Sequence, residues 1–380
     1  MRICMISSVP LPPREGLGFY VWNLSRHLVK LGHQVSIITR GGMGQTTRQV
    51  IEGVNIWRPT FWPLYPVHVH LHTPFVNRLL QKISAEVDLL HLHTPLVKWP
   101  HTKLPALVTV HTPMKSDTAA VPANNLLGWL VKLQAPVSFR LEQQLFNRAN
   151  KLIAVASSVA EELQAYGVDP QQVDVLGNGV DTEIFFPARP PLNGTEPYFL
   201  TVARLGPRKG LEDLIRGAEG VVEQLPHVRF LIAGAGPLEN QLSMEITRRG
   251  LDRQVILLGH IADRARLVEL YRGAAAFVHP AHYEGLPTVL LEAMACGCPV
   301  IATAVSGALD VINHGQNGLL IPPRDPAQMS LALMQLLRQP DFSQELGQAA
   351  RKTIEERYSW EVVGRNYVAR YEALLRGVGS

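Results

Sequence analysis

Short β-branched and apolar runs recur along the chain, each followed by a Gly- or Pro-marked loop and then by a stretch of helical periodicity. That alternation predicts parallel sheets with helices on both faces. In the first half, strands are expected at Arg2 to Ser7, Gln34 to Thr39, Asp88 to Leu92, Pro105 to His111, Lys151 to Val155 and Gln172 to Leu176. A Pro/Gly loop from Pro10 to Gly18 precedes a helix reaching about Leu31, and a long helical stretch runs from about Leu126 to Asn150. The second half repeats the plan, with strands at Tyr198 to Ala203, Val228 to Ala233, Val255 to Leu258, Ala275 to Val278, Pro299 to Thr303 and Gly318 to Ile321. Between the halves, Phe186-Pro-Ala-Arg-Pro-Pro-Leu-Asn-Gly194 reads as a linker.

The expected architecture is therefore α/β, with two facing Rossmann-like domains and a central cleft, one over residues 1–186 and one over 195–358. A final helix over 360–377 is expected to return to the first domain, because Trp360, Val363, Tyr367 and Tyr371 recur at helical spacing. A length of 380 residues fits two domains. Hydrophobic content of 46% with 18% charged residues supports sizeable cores. The net charge of +4 carries no dense Lys/Arg run of a nucleic-acid binder, and it reads either as a slightly basic soluble enzyme or as a basic face that meets an anionic lipid or substrate. Three cysteines, Cys4, Cys296 and Cys298, make a poor disulfide framework and suggest a reducing compartment. No apolar run is long enough for a signal peptide or a spanning helix, so the expected location is cytoplasmic, with peripheral contact to the inner membrane face left open.

Candidate chemistry collects at strand ends, where ligands bind in open α/β sheets. In His279-Pro-Ala-His-Tyr-Glu284-Gly-Leu-Pro, a strand ends and a helix begins near Pro287, leaving Glu284 in the loop and Glu292 on the helix. Backbone N–H groups at that helix start suit a diphosphate. The two carboxylates suit sugar hydroxyls, although helix-front carboxylates also simply favour the dipole. Arg204 and Lys209 follow another strand and can neutralise a pyrophosphate, or be an ordinary charged loop. Gly16-Leu-Gly18 allows backbone to approach an anion, but there is no Gly-x-Gly-x-x-Gly of a dinucleotide oxidoreductase. His111 ends a strand and can donate to a sugar hydroxyl. No Asp-x-Asp stands in the chain, and Asp181-Thr-Glu183 reads as a turn. The histidines of His68 to His72 and His91 to His93 lack a clear ligand set for a metal and read as surface or cleft-lining residues.

Glu284-Gly-Leu-Pro-Thr-Val-Leu-Leu-Glu292 resembles the Glu-x7-Glu signature of glycosyltransferase family 4, retaining enzymes with the GT-B fold. Gly32-His-Gln-Val35, Val175-Leu-Gly-Asn-Gly-Val-Asp181, Arg204 through Lys209 and Asn317-Gly-Leu-Leu-Ile-Pro322 extend the resemblance over nearly the whole chain. It implies that Arg204 and Lys209 hold the donor diphosphate, Glu284 meets the donor sugar and Glu292 the ribose. Gly285, Leu286, Thr288 and Val289 would lend backbone there. Gly16 and Gly18 would close over the phosphate from the acceptor-side domain, and His111 would stand beside the transferred sugar. Two positions depart from the family pattern: Glu15-Gly-Leu-Gly lacks adjacent glycines, and Ala308-Leu-Asp310 replaces a frequent Pro-Glu pair.

The implied function is transfer of a sugar from a nucleoside-diphosphate sugar, with UDP slightly favoured, to a glycan or lipid-linked acceptor. No cofactor or divalent metal is required. A GT-B-type sugar-nucleotide epimerase and a non-catalytic sugar-nucleotide sensor are the competing classes. Trp57-Arg-Pro-Thr-Phe-Trp-Pro-Leu-Tyr65 and Leu126-Leu-Gly-Trp-Leu-Val-Lys-Leu133 read either as an acceptor groove at a membrane or as ordinary packing.

Overall fold

The structure is a computed structural model that describes residues 1–13, 16–64, 67–119, 126–187 and 196–378. Contacts divide the chain into two units: Met1–Asn178 with Val363–Ser380, and Gly179–Val362. Glu15, Tyr65 and most of the Pro/Gly linker, at 188–195, lie outside the described residues, as do the side chains of 126–131 and 133–134.

The first unit is built on eight strands: β1 (Arg2–Ser7), β2 (Gln34–Ile38), β3 (Thr47–Ile51), β4 (Val54–Arg58), β5 (Leu89–His93), β6 (Ala106–Val110), β7 (Lys151–Ala154) and β8 (Val173–Val175). Their spatial order is β3-β4-β2-β1-β5-β6-β7-β8, parallel except for the antiparallel β3–β4 pair. That edge hairpin departs from the purely parallel sheet expected. Four of the five β3 residues are exposed, so the strand carries no buried alternation to betray it. Its turn did leave a mark: Glu52 and Gly53 both take positive φ (47° and 79°), the two-residue turn that suits a hairpin.

The second unit carries β9 (Tyr198–Val202), β10 (Arg229–Ala233), β11 (Val255–Gly259), β12 (Ala276–His279), β13 (Val300–Thr303) and β14 (Leu319–Ile321), in the order β11-β10-β9-β12-β13-β14 and all parallel. The helix Leu211–Val222 shows why the layers close. Its Leu211, Leu214, Ile215, Ala218 and Val221 fall on one face, and all are buried against the sheet. In each sheet the strand order reverses about one strand: β1 lies between β2 and β5, and β9 between β10 and β12. The crevice beyond the carboxyl end of such a strand is where ligands bind.

The final helix, Trp360–Val378, buries Trp360, Val363, Tyr367 and Tyr371. The last two join a buried polar chain in the first unit. Tyr371 Oη pairs with His91 Nδ1 at 2.7 Å, and His91 Nε2 with Thr109 Oγ1 at 2.7 Å. Tyr367 Oη then pairs with Thr109 Oγ1 at 2.9 Å and with Tyr20 Oη at 2.6 Å. His91 and His93 are thus fully buried strand residues, not the surface or cleft-lining histidines expected. Leu-Leu-His-Leu-His is buried throughout because β5 is a central strand covered on both faces. Cys4, Cys296 and Cys298 are free and buried.

Tyr367→Phe keeps the ring packing but leaves the Tyr20 and Thr109 hydroxyls each short of a partner. The expected cost is about 1–3 kcal/mol, read as a lower thermal midpoint, whereas an unchanged midpoint would mean the chain of hydroxyls contributes nothing.

Candidate active site

In the second unit, three loops meet beyond the carboxyl ends of β9, β12 and β13. Ala203 N–H donates to Ala233 O at 3.0 Å and Leu205 N–H to Ala235 O at 3.1 Å, so the chain leaving β9 keeps its alternation. Leu205 goes into the core and Arg204 stays exposed. A single turn of 3-10 helix, Pro207–Lys209, ends at Gly210, whose φ of 62° is left-handed. A Cβ at Gly210 would fall 1.9 Å from the Pro280 carbonyl oxygen, so only glycine lets this loop lie against the loop after β12. His282 N–H donates to Arg208 O at 2.8 Å and fixes the same approach. The loop after β13 is held likewise: Gly307 N–H donates to Gly285 O at 3.0 Å, and a Cβ at Gly307 would fall 1.9 Å from that oxygen.

This stitching brings Lys209 and Glu284 into an ion pair with both side chains half-buried. His279 Nε2 stands 3.9 Å from the same carboxylate. His279 is buried, and neither ring nitrogen has a hydrogen-bond partner. Burial brings its pKa down to about 4, against the pull of Glu284 and with the help of Lys209, so the ring is neutral at pH 7. Beside it, His282 Nε2 lies 2.6 Å from Asp213 Oδ2, a buried carboxylate on the helix Leu211–Val222. Arg208 stacks over the Tyr283 ring at 5.6 Å. Sequence reasoning gave His279, His282 and Asp213 no role. The two histidines stood in the quoted His-Pro-Ala-His-Tyr-Glu run, but Asp213 gave no local signal.

The helix Thr288–Ala295 starts from Pro287 at its N-cap, with no side chain capping it. Leu290 N–H and Leu291 N–H reach Pro287 O, and the N–H groups of Thr288 and Val289 open the helix. Leu286, just before the helix, is buried. Glu292 is half-buried one turn further, where Tyr271 Oη donates to Glu292 Oε2 at 3.0 Å. Burial pushes its pKa up to about 7, against the hydrogen bond from Tyr271 and the charge of Arg264.

Gly16, Gly18 and His111 belong to the first unit. The two glycines lie in the first turn of the helix Gly16–Lys30 rather than in a loop before it. Gly18 is packed on Pro13, where a Cβ would stand 3.1 Å from Pro13 Cβ, while Gly16 has open space around it. His111 follows β6, half-buried, with the Tyr20 ring edge-on at 4.6 Å. Its Nε2 lies 3.3 Å from His93 Nδ1. His93 Nε2 is buried without a partner, so the tautomer that orphans no N–H puts the proton on His93 Nδ1. His93 then donates to His111 Nε2, and the neutral His111 carries its own proton on Nδ1. Burial holds His111 neutral, with its pKa near 3. Among the described residues, no three His, Cys, Asp or Glu side chains gather as metal ligands. Asp181 accepts from Glu183 N–H and Ile184 N–H, a turn as expected.

Residues 14–184 match the model of Glycosyltransferase Family 4, and residues 183–353 match that of Glycosyl transferases group 1. A D-inositol 3-phosphate glycosyltransferase of Corynebacterium urealyticum is 30% identical over 416 residues, covering 98% of this chain and 96% of its own. The chain belongs to glycosyltransferase family 4. This family 4 chain is a nucleotide-sugar-dependent glycosyltransferase of the GT-B superfamily, with two Rossmann-like domains. A glycogen synthase of Mycobacterium tuberculosis is 29% identical over 400 residues, 99% of this chain and 96% of its own. Among solved structures, a sucrose-phosphate synthase from Thermosynechococcus elongatus superposes with a TM-score of 0.81 at 23% identity, covering 99% of both chains.

The buried histidines and Glu292 set opposite pH limits on this glycosyltransferase. His111 and His279 bind protons near pH 6.5 when unfolded but only near 3 and 4 when folded, so stability is lost as pH falls below 6.5. Glu292 keeps its proton up to about pH 7 when folded, so its contribution erodes as pH rises from about 4.5 to 7. Glu292→Gln is expected to raise the melting temperature at pH 8 relative to the parent and to lose that advantage at pH 4. An equal shift at both values would contradict the raised carboxyl.

Proposed function

We propose that this family 4 enzyme transfers a sugar from a UDP-sugar to an acceptor hydroxyl with retention at the anomeric carbon and without a metal. The observation that carries the reading is the Lys209–Glu284 pair, on the same loop after β9 that carries exposed Arg204, together with the start of the helix Thr288–Ala295. In the donor complex, the diphosphate takes the two cations and the helix N–H groups, including those of Thr288 and Val289. Lys209 exchanges its carboxylate for phosphate. Glu284, released, accepts from the donor sugar's hydroxyls, with Gly285 and Leu286 holding the loop. Glu292 accepts from the ribose. As the sugar–phosphate bond breaks, charge builds on the leaving phosphate, and Arg204 and Lys209 stabilise it. The leaving phosphate can take the acceptor's proton on the same face, which keeps the configuration.

Gly16, Gly18 and His111 enter the reading through the resemblance, His111 as a neutral donor from Nδ1. UDP as the donor base is supported by a similar fold solved with UDP-glucose, Anabaena HepE, at a TM-score of 0.74 and 17% identity. The acceptor is a glycan or a lipid-linked molecule, and the reaction runs in the cytoplasm. Among the described residues, no helix is long and apolar enough to cross a membrane. Exposed Trp62, Leu64 and Val67 support contact with a membrane surface.

Arg204→Ala and Lys209→Ala should each lower kcat about 10²–10³-fold, as loss of a transition-state donor does, in an assay of UDP release with UDP-sugar and acceptor. Near-normal turnover in both variants would refute the assignment. Thermal-shift screening of UDP-, GDP- and ADP-sugars should give the largest stabilisation with a UDP-sugar, and a larger shift with GDP or ADP would overturn the choice of base.

A further inference from the structure

His279 is the last residue of β12, a central strand of the second unit, and it is 2% exposed. Its ring stacks on Phe277, two residues back along the strand, with centroids 6.4 Å apart. Neither ring nitrogen has a hydrogen-bond partner. The hydroxyls on the two flanking strands are engaged elsewhere. Thr201 Oγ1 donates to Val278 O at 2.8 Å, and Thr303 Oγ1 donates to Ala281 O and to His279 O.

A neutral imidazole must carry a proton on one of its nitrogens, and burying that N–H without an acceptor is costly. An apolar side chain in the same place would carry no such cost, so the ring calls for a partner in another state of the site. One carboxylate stands within reach. Glu284 Oε2 lies 3.9 Å from His279 Nε2, about 1 Å beyond a hydrogen bond, and the same oxygen is held by Lys209. The two charges act on the ring in opposite senses, Glu284 favouring its proton and Lys209 opposing it. Lys209 and His279 thus compete for one carboxylate oxygen, and without a donor the cation has it.

We infer that His279 is the positioning residue for Glu284: once a donor phosphate takes Lys209, Glu284 Oε2 closes on His279 Nε2–H, and Oε1 turns to the donor sugar. The inference rests on the transfer reading, in which Lys209 exchanges its carboxylate for phosphate, and it adds what receives the released group. A half-buried carboxylate that has lost its cation needs a donor, and a neutral imidazole supplies one without a further charge. Held at one oxygen, the carboxylate presents the other to a sugar hydroxyl in a set direction, which a freely turning side chain would not.

Nuclear magnetic resonance on the full chain with isotope-labelled histidine nitrogens tests this, with UDP as the probe. Loss of the signal in His279→Gln assigns it. UDP should move the His279 Nε2 proton downfield, as a new hydrogen bond to a carboxylate does, and Glu284→Ala should abolish that movement while UDP still binds. In the UDP-release assay with UDP-glucose, His279→Phe should lower kcat about ten- to a hundredfold with UDP affinity as in the parent. His279→Gln, which keeps an N–H at about the Nε2 position, should recover most of that loss. The melting temperature of His279→Phe should not fall, because the ring gives up no hydrogen bond; if it does fall, the resonance of the parent protein decides alone. UDP binding that leaves the His279 proton unmoved overturns the inference and leaves the transfer reading standing. So does a well-folded His279→Phe with the parent's kcat, or a loss that His279→Gln shares in full. No binding of UDP strikes the transfer reading and this inference together.

Discussion

Gly210 can stand against the Pro280 carbonyl, and Gly307 against the Gly285 carbonyl, only because neither carries a side chain. These two contacts fix the second unit's site. They bring the loops after β9, β12 and β13 to backbone contact, and Lys209 reaches Glu284 as a result. Adding a methyl group at either glycine would push a loop off its neighbour by more than an ångström, and catalytic positioning tolerates little of that. The reversal of strand order about β9 explains why these loops diverge enough to leave a crevice at all.

The electrostatics follow from this packing. Two fixed charges stand on the loop after β9: Arg204, exposed, and Lys209, already paired with a carboxylate. The neighbouring His279 is neutral at pH 7 because burial denies it a proton. Positive potential at the site therefore comes from Arg204 and Lys209 rather than from His279, and it is partly held in check by Glu284. The first unit follows the same rule: His91, His93 and His111 are all kept neutral by burial, serving as hydrogen-bonding groups rather than charges.

Most of the parallel strands were legible as short apolar runs, several of them followed by Gly or Pro. Glu284 in its loop and Glu292 on its helix followed from the position of Pro287. The β3–β4 hairpin was not legible, because β3 is an exposed edge without alternation and only the turn at Glu52-Gly53 marked it. The burial of His91 and His93 was hidden for a different reason. A polar residue in a central strand is tolerated only when partners arrive from elsewhere, and here they come from Tyr371, almost three hundred residues away in sequence, and from Thr109 and His111. The pairing of His282 with Asp213 is likewise a contact between distant segments. Chemistry confined to one segment could be read from the chain, whereas chemistry assembled across segments required the fold.

The account turns on whether Lys209 gives up Glu284 for a phosphate, and a crystal structure of the enzyme with a bound UDP-sugar tests that most directly. The predicted result has a diphosphate oxygen within hydrogen-bonding distance of Lys209 Nζ and of the Arg204 guanidinium, with Glu284 turned to the hydroxyls of the sugar. A bound nucleotide sugar that leaves the Lys209–Glu284 pair intact, with its diphosphate away from both cations, would contradict it.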